Sequence, residues 1–207
     1  MKIYTMQVGP IMTNCYLLCD EEAGLCALID PGDNAEAIEE MVSASGCELQ
    51  MILLTHGHFD HCNAVRDILA RHPDVPVYIH PSDVVPEGVY NDLKFPRLDE
   101  RNQRFYREGD TLTLGSLTIS VLETPGHSSG SVCLVVGNVL FSGDTLFRAT
   151  CGRTDFPDGS YEDILRSLGR LARLEGSYHV CPGHEEQTDL DYERRVNPYM
   201  QQGLRQF

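Results

Sequence analysis

Five short apolar runs constrain this chain more than any other feature. NCYLLC (14–19), LCALID (25–30), MILL (51–54), SVCLVV (131–136) and VLFS (139–142) place apolar side chains on both alternating faces of an extended backbone. Successive residues of a strand point to opposite sides, so such runs need cover on two sides. Two mixed sheets packed face to face, with helices against their outer faces, provide that cover.

The rest of the sequence supplies the parts. Residues 2–8, 14–19 and 25–30 read as a meander of strands separated by turn residues. Residues 34–45 read as a helix with Asn34 as its N-cap and Gly46 as its stop. A strand over 51–54 is followed by a helix over 63–72 that ends at Pro73, and by a strand over 75–79. Pro76 predicts an edge position for that strand, because proline cannot donate to a ladder. Residues 81–109 read as irregular and charged, and 111–114, 117–122, 131–136 and 139–142 as a second meander. The spacing of apolar residues predicts a helix over 160–173, then a strand over 179–181 and a polar helix over 189–203. No Gly/Ser-rich or Pro-rich linker divides the 207 residues, and a single domain over 1–207 is the expectation.

Composition excludes some functions. No apolar run approaches the ~20 residues of a membrane span. The N-terminal stretch MKIYTMQVGP lacks the apolar core of a secretory signal, so a reducing cytoplasm is expected. The eight cysteines include no C-x-x-C pair, and Cys15 and Cys19 read as small packed hydrophobes. A formal net charge of -15 opposes a nucleic-acid partner.

The apolar runs end in residues that carry chemistry. MILL leads into THGHFDH (55–61), which holds His56, His58, Asp60 and His61. In an extended segment His56 and His58 project to one side, and a turn into helix after them lets Asp60 and His61 converge nearby. Imidazole and carboxylate are zinc-type ligands; the alternative is a solvated polar loop. Further on, His127 stands in TPGHSSG, Asp144 in FSGDT and His184 in CPGH, each after an apolar strand and a glycine. Strand ends along one sheet edge are where open sites collect. His72, His80 and His179 have no partner motif and read as structural. Lys94, Arg97, Arg101, Arg104 and Arg107 recur at helical spacing. They read as a solvated face paired with Asp92, Asp99, Glu100 and Glu108, with a lid that attracts an anionic substrate as the alternative.

Taken in order, THGHFDH, GHSSG, SGDT and PGH resemble the metallo-β-lactamase fold superfamily, over a span from IDPG (29–32) to Pro198. Within it the chain is most similar to glyoxalase II, the hydroxyacylglutathione hydrolases, in their short bacterial form; GDTLFRATCGRTDFPDGS (143–160) and ERRVNPY (193–199) carry that likeness. The resemblance implies an α/β fold, the αββα four-layer sandwich. It implies that His56, His58 and His127 hold one metal, that Asp60, His61 and His184 hold a second, and that Asp144 bridges them. Two divalent metals are then expected: zinc first, with iron or manganese accepted by the same ligands. The implied reaction is hydrolysis of a small thioester such as S-2-hydroxyacylglutathione by a hydroxide bridging the metals. Asp60 is expected to steady the attacking water, and Asp30 to accept the free N–H of a ligating histidine; the alternative for Asp30 is a turn-forming role in Asp-Pro-Gly.

Two departures accompany this resemblance. His184 lies too near the end of the sequence for the C-terminal glutathione-binding helical domain of the full-length enzymes. Arg153 and Asp155 stand where the family has a glutathione-contacting lysine and tyrosine. Arg153 is therefore the candidate for a substrate carboxylate, and Asp155 cannot replace the tyrosine toward an anionic thiol. Two rival activities resemble the chain less fully. Persulfide dioxygenases share CGRTDF (151–156) and use one iron at positions matching His56, His127 and Asp144. Nucleic-acid hydrolases of the same superfamily are opposed by the charge of -15.

Overall fold

The computed structural model describes residues 1–85 and 91–207; residues 86–90, within the stretch expected to be irregular, lie outside the described residues. The chain runs β1 (Lys2–Val8), β2 (Thr13–Asp20), β3 (Leu25–Ile29), α1 (Ala35–Ser45), β4 (Glu48–Leu53), α2 (Phe59–Cys62), α3 (Val65–Arg71) and β5 (Val77–Ile79). It continues through β6 (Val84–Val85), β7 (Phe95–Pro96), β8 (Gln103–Phe105), β9 (Thr111–Leu114), β10 (Leu117–Glu123), β11 (Val132–Val136) and β12 (Val139–Gly143). It ends with α4 (Tyr161–Ala172), β13 (His179–Pro182), β14 (Thr188–Asp189), α5 (Leu190–Val196) and α6 (Pro198–Gln206).

Two six-stranded sheets result, ordered β1-β2-β3-β4-β5-β8 and β14-β13-β12-β11-β10-β9. The β1–β2–β3 meander is antiparallel and β3, β4, β5 and β8 run parallel; β9 to β12 form the second meander, and β13 joins β12 in parallel. Strand alternation sorts the side chains into three cores. Cys15, Leu17, Cys26, Leu28 and Ile52 face α1 and α3, with Ile38, Val65 and Ile68 opposite. Tyr16, Leu18, Ala27, Ile29 and Leu53 meet Ile119, Val121, Leu134 and Phe141 between the sheets. Cys133, Leu140 and Val180 pack on Ile164, Leu168, Leu190 and Met200 of α4, α5 and α6. The fold is the αββα sandwich that the doubly apolar runs require.

Four expectations are corrected. β5 is not at an edge: it pairs with β4 and β8, and Pro76 precedes the strand, offering its carbonyl to the Ile52 amide at 2.9 Å. The missing donor thus falls outside the ladder. Asn34 occupies the N-cap position of α1 at φ 56°, but its side chain makes no cap bond. The polar helix over 189–203 is two helices broken at Asn197, whose Oδ1 accepts from Tyr199 N (3.1 Å) and Met200 N (3.2 Å) as Pro198 opens α6. No helix carries Lys94, Arg97, Arg101, Arg104 and Arg107 among the described residues, since β7 and β8 interrupt the series. Their partners also differ: Lys94 pairs with Asp83 and Asp158, and Arg101 with Asp74. None of the helices over the described residues is long and apolar enough to cross a membrane.

The α4–α6 contact depends on two glycines. A Cβ at Gly203 would stand 2.1 Å from the Leu165 carbonyl oxygen and 2.9 Å from Gly169 N. Gly203→Ala forces these backbones apart and is expected to cost about 1–3 kcal/mol, read as a lower urea midpoint with an unchanged slope.

Candidate metal centre

Four strand ends deliver the side chains. β4 runs through Leu54 into the loop of His56 and His58, and α2, one turn long, presents Asp60 and His61. His127 follows β10, Asp144 follows β12, and His184 follows β13. All seven residues converge. His56, His58 and His127 place ligand atoms within 4.8 Å of one another, as do Asp60, His61 and His184, and so do His56, His61 and Asp144.

The distances show one continuous cluster. His58 Nδ1 lies 2.9 Å from His127 Nε2. His61 Nε2 lies 3.3 Å from His184 Nε2 and 3.3 Å from Asp144 Oδ1. Asp144 Oδ2 is 3.3 Å from His127 Nε2 and 3.6 Å from His184 Nε2, so this carboxylate touches both groups. Asp60 Oδ2 sits 3.2 Å from His184 Nε2 and accepts from Thr13 Oγ1 at 3.1 Å.

The outward nitrogens are fixed by other bonds. His61 Nδ1 donates to Asp30 Oδ2 at 2.9 Å, which leaves Nε2 for the cluster. Thr55 donates its hydroxyl to the same oxygen at 2.6 Å and its amide to Asp30 Oδ1 at 2.7 Å. Thr55 Oγ1, 3.1 Å from His56 Nδ1, thereby accepts from that ring and leaves His56 Nε2 inward. His127 Nδ1 donates to the backbone carbonyl of Arg153 at 2.8 Å. Asp30 thus accepts from both His61 and Thr55, from an αL backbone (φ 51°) that opens the Asp-Pro-Gly stretch.

The donor set fits a cation. His56 Nε2 is buried without a hydrogen-bond partner, and Asp144 Oδ1, also buried, has only the 3.3 Å approach of His61 Nε2; an unpaired buried polar group costs about 1–3 kcal/mol. Gly183 lines the centre, where a Cβ would stand 2.3 Å from Asp144 Oδ1 and 2.7 Å from His61 Cε1. The glycine before His184 therefore keeps space that a side chain would fill.

Protonation reflects the same crowding. Burial, together with the neighbouring imidazoles, holds His56 well below the ordinary histidine range. His58 is lowered to about 4, chiefly by burial and then by His127. Burial also opposes charge on His61, but Asp144 and Asp30 outweigh it and raise His61 well above its ordinary value. Burial works against the Asp144 carboxylate, and the imidazoles of His61, His127 and His184 hold it well below the usual carboxylate range.

A cleft of about 540 Å³ opens onto this cluster, walled by Ile11, Phe59, Leu93, Phe147 and Phe156. Arg153 lies on its rim, with Nε and Nη2 each 2.6 Å from an Asp155 oxygen and the guanidinium 4.6 Å from the Phe156 ring. The arginine draws Asp155 down to about 2. His72, His80 and His179 lie outside the cluster, paired with Glu39, Glu123 and Gln187. Sequence reasoning missed the supports. Asn14 holds the His184 loop through Pro182 O and Glu185 O, both at 3.0 Å, and Tyr16 through Pro182 O at 2.7 Å. Asp83, fully buried, was also missed, and nothing in its surrounding PSDVV marks it.

The sequence profile of the metallo-beta-lactamase superfamily matches residues 8–184. The chain belongs to this superfamily. It is 41% identical over 195 residues to a hydroxyacylglutathione hydrolase of Alkalilimnicola ehrlichii, covering 92% of this chain and 70% of that protein. It is 31% identical over 217 residues to the hydroxyacylglutathione hydrolase GloC of Haemophilus influenzae, covering 97% and 98%. Among solved structures it is similar to the B3 metallo-beta-lactamase BLEG-1, at TM-score 0.84 and 31% identity over 96% of this chain and 99% of that one. ETHE1 from Myxococcus xanthus gives 0.81 at 28% identity, over 96% and 84%. TTHA1623, solved in a di-iron-bound form, gives 0.79 at 34% identity, over 95% and 99%. The chain is thus a member of a metallo-hydrolase superfamily, with a cluster of histidines and aspartates able to hold metal.

Asp144 and Asp30 favour the protonated His61 ring, and a metal needs that ring neutral. Metal uptake at pH 7 is therefore expected to release a proton from His61, and affinity to fall as pH is lowered. Calorimetric titration in two buffers of different ionisation enthalpy measures that release; equal heats in both would contradict it.

Proposed function

We propose that the protein is a dinuclear metal-dependent hydrolase of small thioesters, with S-2-hydroxyacylglutathione as the first substrate. The observation that carries this reading is Asp144, which lies in contact with both groups of imidazoles at the floor of an apolar cleft. The likeness to two hydroxyacylglutathione hydrolases supports the substrate class.

His56, His58, His127 and Asp144 are assigned to one metal, and Asp60, His61, His184 and Asp144 to the other. Zinc is the first candidate; the di-iron form of TTHA1623 keeps iron in view for the same donor types. When bound, two such cations supply a water that ionises near neutral pH and positive charge for a developing oxyanion.

The chain's own residues do the rest. Asp60, already accepting from Thr13, is assigned to steady the attacking water. Ile11, Phe59, Leu93, Phe147 and Phe156 receive the acyl chain and keep bulk water from the carbonyl carbon. The water gives up one proton to solvent, its oxygen bonds to that carbon, the C–S bond breaks, and the departing sulfur takes up the second proton, leaving a carboxylate and a thiol. A thiol of pKa ~8.5 departs as its anion, so the reaction needs no dedicated acid. Arg153 is assigned to a substrate carboxylate, in competition with Asp155.

The competing reading is a persulfide dioxygenase with one iron on His56, His127 and Asp144. The complete Asp60–His61–His184 group weighs against it.

Metal content and turnover decide between them. About two metals per chain and hydrolysis of S-lactoylglutathione are expected, with activity abolished by a chelator and restored by zinc, iron or manganese. One iron per chain, no thioester turnover and oxygen uptake with glutathione persulfide would replace the proposal with its rival.

A further inference from the structure

Asp83 is a fully buried carboxylate at the end of a single helical turn, Pro81–Asp83, and belongs to neither ligand group. Its four contacts reach both loops that carry the first group. Oδ2 accepts from Gly57 N at 2.9 Å and from Ser128 Oγ at 2.6 Å. Oδ1 accepts from Gly130 N at 2.9 Å and from Lys94 Nζ at 3.2 Å. Gly57 separates His56 from His58, and Ser128 follows His127 directly. One backbone bond, Val132 N to Thr55 O at 2.9 Å, joins the two segments at their bases; at Gly57, Ser128 and Gly130, nearer the histidines, the carboxylate joins them. Lys94 compensates the buried charge and also bonds Asp158 and Ser129, at the far side of the His127 loop.

We infer that Asp83 is a positioning residue that sets the spacing between the His56–His58 loop and His127, and so the metal affinity of that group alone. Each of its oxygens accepts one backbone N–H, which no neutral isostere reproduces. An asparagine keeps one acceptor oxygen, and the Lys94 ammonium draws that oxygen to the Oδ1 side. Its amide NH2 then faces Gly57 N–H, donor against donor, and the backbone between His56 and His58 loses its anchor. The Asp60–His61–His184 group has no bond to Asp83 and is unaffected.

This inference rests on the two-metal reading proposed above. The test is titration of chelator-stripped protein with zinc against a chromophoric competitor, with His127→Ala and His184→Ala assigning the two binding events. Asp83→Asn is expected to weaken the event that His127→Ala removes by 10–100-fold, the usual consequence of removing an outer support of a ligand, and to leave the other within about twofold. Ser128→Ala keeps the carboxylate, its charge and its other three donors, and is expected to give a smaller loss at the same event. It decides the matter if Asp83→Asn does not fold. Unchanged affinities in both variants, or an equal loss at both events, would overturn the inference, the latter pointing to general destabilisation. A wild-type chain that takes up only one zinc would instead sink the two-metal reading itself.

Discussion

Asp144 is the residue on which the arrangement depends. Among the described residues its carboxylate alone contacts histidines from three separate strand ends, and the rings of His61, His127 and His184 hold it ionised in a buried place. Neither partner is tolerable there alone. An unpaired buried carboxylate costs several kcal/mol, and a buried imidazole without a counter-charge is driven to its neutral form, as His56 is. β4 of one sheet and β10, β12 and β13 of the other all end around this one carboxylate.

Much of this was legible in the sequence because the fold and the site come from the same segments. The doubly apolar runs demanded cover on both faces and so predicted four layers; the His- and Asp-bearing turns at their ends placed the chemistry at strand termini. The parts that were misread share a physical cause: they depend on what lies alongside, which local pattern does not encode. Pro76 suggests an edge only if it lies within the ladder, and it lies one residue before. The Lys94–Arg107 series has helical spacing, but pairing of β8 with β5 overrides it. The break at Asn197 has a local signal in Asn-Pro, which the uninterrupted polar pattern around it masks.

The residues around the centre were the least legible. Asp30, next to a recognisable turn, is legible; Thr55, Thr13, Tyr16 and Asp83 are not, because what each does is set by hydrogen bonds that only the folded chain brings together. Their spacing to the ligands in sequence ranges from one residue to more than one hundred and sixty. No periodicity could reveal such contacts. A buried polar residue with no place in an amphipathic pattern is the nearest thing to a signal, and Asp83 carries even that only once its burial is known.

The hydrogen bond from His127 to position 153 has a consequence for how this centre can diversify. The acceptor is the main-chain carbonyl, which every amino acid possesses, while the side chain at the same position stands on the cleft rim. Orientation of the His127 ring and the chemistry of the cleft wall are thus separated within one residue. Any side chain placed there inherits the bond to His127, so the rim at position 153 can change while the ring keeps its aim into the cluster.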